Sequence, residues 1–310
     1  MTEQQQVPEA VFGSYYGRPV IKVTKWKEPH LPAYLFLGEM SGASAVVAAL
    51  AAATRRPSLA RAARLASAAS AAAGAGFLTA ELGRPERFLN MLRVFKPTSP
   101  MSMGAWVLAA HSGLVSAAAA SEVTGLAPKL AEAAGEAAAL TGPVLATYPA
   151  ALLADTAVPA WHSAHRELAL LFAGGALTSA AAAGLLAAAL PGSTADREPL
   201  RRLAVAGVAL ESVAGYGLEH MADDAARPYR EGPGGQALRA ARAMTLAGGA
   251  CALAARRSRG MAVLSAGLLA GGGLAAKFAV LRAGVASARD PRYVVAGQRG
   301  RTQPGSRKSR

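Results

Sequence analysis

A chain of 310 residues with 52% hydrophobic and only 17% charged side chains, and a mean hydropathy of +0.25, lies outside the range of ordinary soluble domains, which carry roughly 25% charged residues. Its net charge of +14 is spread over loops and tails, with no compact basic domain; this argues against nucleic acid as a partner and fits the basic loops of a membrane protein. Cys251 is the only cysteine, which excludes disulfides within the chain and an iron–sulfur cluster held by this chain alone, since such a cluster takes about four cysteines.

Residues 1–32 read as a polar arm. Arg18, Lys22, Lys25 and Lys27 alternate with Tyr15, Tyr16 and Trp26, a pattern that suits either the membrane interface or a docking strip for a partner. The arm has no basic stretch followed by an apolar core, so no cleaved signal peptide is expected, and the first apolar block should act as the insertion signal.

Beyond Pro32 the apolar residues fall in blocks of about 20, enough to cross roughly 30 Å of hydrocarbon as a helix. The expected fold is all-α and polytopic, with eight transmembrane helices near 33–53, 62–80, 101–121, 137–158, 166–190, 202–219, 239–255 and 260–281. The seventh is the least apolar because of Arg239 and Arg242. Alanine and glycine dominate the spans, and small residues let helix backbones approach closely in lipid. An even number of spans puts both termini on one side. Arg and Lys are more numerous on that side, so both termini are expected in the cytoplasm, with the chain in the cell (inner) membrane. Residues 286–310 form a basic tail suited to anionic lipid.

Residues 81–100 interrupt the first half. They carry Glu81, Arg84, Glu86, Arg87, Arg93 and Lys96, and Pro85, Pro97 and Pro100 fix the path of the chain. A mere connector needs only a few residues, so the loop reads as a site. Ionisable residues within the spans are costly and usually face the bundle interior. Glu39 in the first span either handles a proton or pairs with a cation such as Lys277. Glu81 closes the second span, where a carboxylate either exchanges protons at the membrane edge or simply anchors the helix at the interface. His111 either holds a ligand or bonds between helices. Asp155 is a candidate for a proton path, with a cap or an anchor as the alternative, and Glu211 could join a polar chain with Glu39 or Asp155. His162 and His165 are three apart but have no acidic or Cys partners, so no metal is expected. With His111 the only histidine at mid-membrane, no haem is expected either.

The segment ELGRPERFLNMLRVFKPTSPMSMGAW, residues 81–106, resembles the loop that marks the NrfD/polysulfide reductase family of membrane subunits. YYGRPVIKVTKWKEPHLPAYLFLG, TGPVLATYPAALLADTAVPAWH and LRAGVASARDPRY resemble the same family. The resemblance implies eight helices arranged as two four-helix bundles, here 33–160 and 161–285. It also implies an anchor for a ferredoxin-like subunit with four iron–sulfur clusters, itself joined to a molybdopterin catalytic subunit. The bound substrate would be a quinone, menaquinone or ubiquinone, near the surface facing the partner. On this resemblance Glu81 takes the place where related anchors carry a His linked to quinol, Gly83 and Pro85 shape the turn, and Arg87 matches a basic position. Glu39 falls where some anchors have an acid and typical members have Gly.

The function expected is therefore quinol oxidation or quinone reduction coupled to electron exchange with the iron–sulfur partner. Glu39 and Glu81 would exchange protons, Arg87 and His111 would hold the head-group, and Trp106 would either wall the pocket or anchor the helix at the interface. The competing classes are an ion- or proton-translocating transporter and a passive anchor without a quinone site.

Overall fold

The computed structural model describes residues 21–24, 26–84, 86–191, 193, 196–256 and 258–293, except for the side chains at 88 and 89. Arg18, Lys25, Pro85 and the tail beyond 293 lie outside the described residues. The elements formed by the described residues are all helical, with no strand among them.

Eight long helices account for most of the chain: α1 (His30–Ala53), α2 (Pro57–Leu82), α4 (Pro100–Thr124), α5 (Pro128–Ala154), α7 (His165–Ala189), α8 (Glu198–His220), α9 (Gly232–Ala254) and α10 (Arg259–Arg289). Two short helices, α3 (Glu86–Asn90) and α6 (Pro159–Ser163), and a 3-10 turn, Asp224–Tyr229, lie in the connections. Proline marks many of the starts: Pro57, Pro100, Pro128 and Pro159 open their helices, where the missing N–H has no intrahelical partner to lose. Ser99 and Ser258 cap α4 and α10 by accepting from the N–H groups of Ser102 and Met261. Gly83, at φ +70°, ends α2 in the left-handed conformation that favours glycine, which accounts for its place in the loop motif.

Six of these helices (α1, α2, α4, α5, α7 and α10) are long and apolar enough to cross a membrane, so the chain is a multi-pass membrane protein. α8 and α9 match the expected spans in length but not in composition. α8 carries Arg201, Arg202, Glu211 and Glu219, and α9 carries Arg239 and Arg242. The fourth expected span, near 137–158, is displaced. α5 begins at Pro128, because KLAEAAGE is helical although polar, and stops at Ala154, leaving Asp155 as its C-cap.

Neighbouring helices alternate in direction. α1 packs on α2 and α5, and α4 on α2 and α5; α7 packs on α8 and α10, and α9 on α8 and α10. α1 and α5 also pack on α7, and α1 reaches α10. Small residues bring α1 and α5 to backbone contact. A Cβ on Gly42 would sit 2.2 Å from the carbonyl oxygen of Gly142. The main apolar core lies toward the end that holds the 83–99 loop, around Trp161, Phe172, Leu145, Leu168 and Tyr229. Trp161 fits there because Gly284 has no side chain, and its Nε1 donates to the carbonyl of Val280 at 2.8 Å.

Candidate functional site

Under the 83–99 loop, the ends of α1, α2, α4 and α5 enclose an open cleft of about 810 Å³. Its walls are mostly apolar, with Leu31, Leu78, Leu108 and Leu152 from the helices, Met91 from the loop and Met101 from the first turn of α4. Residues 22–24, 26 and 27 run along its rim. The indole of Trp26 stacks on Trp161 with ring centroids 5.3 Å apart.

Glu81 lines this cleft at the last turn of α2. Its Oε1 accepts from the main-chain N–H of Lys27 at 2.9 Å, and its Oε2 lies 3.7 Å from Nδ1 of His30. The carboxylate is therefore held in place and is 10% exposed, with Oε2 lacking a hydrogen bond. Deeper in, the hydroxyls of Tyr34 on α1 and Tyr148 on α5 hydrogen-bond to each other. Gly104 makes room for the Tyr148 ring, which a Cβ there would approach to 2.2 Å. Arg87 lines the cleft from α3, exposed, with Nη1 at 3.5 Å from the carbonyl of Leu82. One cleft thus joins a fixed carboxylate, two phenols and a guanidinium with walls suited to an apolar chain, and the His30 imidazole stands beside the carboxylate.

The other residues expected at the site lie elsewhere. Trp106 does not line the cleft. Its Nε1 donates to the carbonyl of Val94 at 3.2 Å and its ring meets Phe95 edge-on, so it ties the loop to α4. His111 is fully buried between Ser41 at 3.0 Å and Thr141 at 2.9 Å. Ser41 in turn donates to the carbonyl of Ser67, so His111 is a polar hub joining α1, α2, α4 and α5. This is the interhelical bonding that the sequence left open. Glu39 pairs with Lys277 at 2.6 Å, both fully buried, and Lys277 also stands 4.1 Å from the centroid of Phe172. This pair lies about 13 Å further along α1 than His30, away from the cleft. Glu211 accepts from Thr178 at 2.5 Å and Thr245 at 3.1 Å, joining α7, α8 and α9. Asp155 is exposed at the end of α5 and is not brought to Glu211 by any shared contact among the described residues. Among the described residues, no group of three or more His, Cys, Asp or Glu side chains is placed to hold a metal.

Sequence reasoning passed over Tyr34, Tyr148 and His30. The two tyrosines are 114 residues apart and sit in Ala-rich helices, with no local pattern to join them. The segments that carry them were nonetheless among those resembling the polysulfide reductase family.

The sequence model of the family described as "Polysulphide reductase, NrfD" matches residues 22–212, from the rim of the cleft to the body of α8. α9 and α10 lie beyond the match. No curated protein matches the chain. The match covers more than half of the sequence and every wall of the cleft, and on it the chain belongs to the NrfD polysulphide reductase family, whose members are membrane subunits paired with oxidoreductase subunits.

Proposed function

We propose that this chain is the quinone-reactive anchor of a membrane oxidoreductase. It would exchange electrons between a quinol and an iron–sulfur subunit with four clusters, which serves a molybdopterin catalytic subunit. In this reading α8 and α9 also cross the membrane. The eight helices then form two four-helix bundles in the cell membrane, with both termini on the side of the loop.

The observation that carries the reading is the Glu81 carboxylate, fixed at the polar end of an apolar-walled cleft of about 810 Å³. Oxidising a quinol releases two protons and two electrons. The electrons pass to the partner's clusters, and the protons need acceptors at the head-group oxygens. Oε2 of Glu81 is free to accept one, and the nearby His30 imidazole can take it on toward solvent. The Tyr34–Tyr148 pair offers a hydroxyl to the other oxygen, and Arg87 supplies positive charge at the mouth. The apolar walls, with Met91 and Met101, suit the ring and the isoprenoid tail. Asp155, exposed at the same end of the molecule, is a further acceptor for protons released there. Glu39 and Glu211, closed in by Lys277 and by two threonines, have no part in this cleft.

The test is binding of a fluorescent quinol analogue to the purified complex, comparing wild type with Glu81→Gln and Arg87→Ala. The reading expects binding to wild type and, in folded variants, weaker binding or loss of quinol oxidation. Normal binding and turnover in both variants would move the site elsewhere. No binding to the wild-type complex would leave a passive anchor.

A further inference from the structure

α7 and α9 run away from the 83–99 loop and α8 runs back toward it, so the ends Ala189, Glu198 and Ala254 meet at the opposite face of the molecule. A second open cleft, of about 830 Å³, lies there between the α7–α8 and α9–α10 connections. Its character is the reverse of the first. Arg197, Arg201, Arg202 and Arg256 line it, against the carboxylates of Asp196 and Glu198.

The two carboxylates are already engaged. Asp196 accepts from Arg56 at 2.9 Å and from the N–H of Glu198 at 2.9 Å. Glu198 is bonded to Arg201 and, at 3.1 Å, to Arg202. Arg197 is anchored by neutral groups, donating to the carbonyls of Ala188 and Ala255, each at 3.1 Å. Arg201 is fixed in the same way on the carbonyl of Ala252 at 3.1 Å. Among the described residues no carboxylate pairs with Arg197 or Arg256. The cleft therefore presents positioned guanidinium groups with uncompensated positive charge, a geometry suited to the oxygens of a phosphate.

Its flank is apolar. Leu186 and Leu190 at the end of α7, and Leu253 at the end of α9, are each more than half exposed within one turn of cleft residues. In a membrane protein such side chains face lipid. A charged cleft opening beside a lipid-facing apolar strip matches a molecule with an anionic head and hydrocarbon tails.

We propose that this cleft binds the phosphodiester head-group of an anionic membrane phospholipid, whose acyl chains lie along Leu186, Leu190 and Leu253. The site is independent of the quinone reading and lies at the other end of the helices.

Native mass spectrometry of the delipidated protein in detergent tests it. Phosphatidylglycerol, phosphatidylcholine with the same acyl chains, and inorganic phosphate are titrated separately. The variant is Arg202→Gln/Arg256→Gln, two exposed positions outside the core, with thermal unfolding as the check on the fold. Arg61→Gln, on the same face but outside the cleft, is the control. The expected result is one preferred phosphatidylglycerol, with affinity reduced roughly tenfold or more in the double variant and unchanged in the control. Equal phosphatidylglycerol binding by wild type and the double variant would overturn the proposal. So would equal affinity for phosphatidylcholine, which would mean unspecific lipid. Inorganic phosphate binding as tightly as the lipid would overturn it in favour of a free-anion site.

Discussion

Glu39 on α1 and Lys277 on α10 face each other at 2.6 Å with neither side chain exposed to any solvent. They join the first and last long helices, 238 positions apart, and α7 closes the space around them. A Cβ on Gly175 would come within 2.8 Å of the Glu39 carboxylate and 3.1 Å of the Lys277 amine. Burying either charge alone is expensive, while the pair is offset by mutual attraction. Glu39→Gln or Lys277→Met should each destabilise the protein by about 3–5 kcal/mol, because each leaves one charge without its partner. Replacing both by Met should restore most of the loss. Unfolding of the purified protein in detergent reads all three, and single variants as stable as wild type would show that the pair does not hold the helices together.

The contact between α1 and α5 depends on two glycines facing each other. Any side chain at Gly42 or Gly142 meets the opposing backbone at 2.2 or 2.3 Å, and backbone cannot move aside as a flexible side chain can. Gly42→Ala should therefore cost about 1–3 kcal/mol through overpacking. Gly76 on α2 has open space around it. Gly76→Ala should be neutral or slightly stabilising, since alanine is the better helix former. The comparison of the two melting temperatures separates a packing effect from a general effect of replacing glycine.

Much of this fold was legible because helices that cross lipid must be long and apolar, and that signal is local. The Pro- and Ser-marked starts at Pro57, Ser99 and Pro100 and the Gly83 turn are local as well. Glu81 and Arg87 could be singled out because the loop that carries them is polar against an apolar background. What could not be read was convergence. Tyr34 and Tyr148 meet only through the packing of helices far apart in sequence, and for Glu39 the sequence offered Lys277 as a partner without deciding between that pair and proton handling. A buried Glu looks the same in sequence whether it faces a substrate or a lysine. Trp106 was left open for a related reason. A tryptophan one turn and a half into a helix can face inward or back along the loop, and its bond to Val94 decides for the loop.

The Tyr34–Tyr148 pair makes a prediction that separates binding from structure. Tyr34→Phe keeps the ring and the packing but removes one hydroxyl. In the proposed reading, quinol-analogue affinity should fall roughly fivefold to tenfold, the worth of about one hydrogen bond. Thermal stability should change little, because Tyr148 can turn its hydroxyl toward the open cleft. Unchanged affinity with unchanged stability would take the tyrosines out of the site.

The segment before α1 is fastened over the cleft at three successive residues. Trp26 stacks on Trp161, the N–H of Lys27 binds Glu81, and Glu28 makes two 2.8 Å bonds to Arg282. The first and third attach to α6 and α10, the second to α2, so the segment spans from one group of helices to the other. Glu28 and Arg282 are both more than a third exposed, so their pair contributes little stability, about 0–1 kcal/mol. Its effect should appear in kinetics instead. Glu28→Gln loosens one fastening without touching the cleft walls, so a quinol analogue should associate and dissociate faster with a small change in equilibrium affinity. Trp26→Ala removes wall area itself and should weaken affinity about tenfold, through loss of aromatic contact. Stopped-flow quenching of tryptophan fluorescence by the analogue resolves both rates. If Glu28→Gln leaves the two rates as they are, the segment is a fixed wall and access to the cleft runs sideways from the lipid.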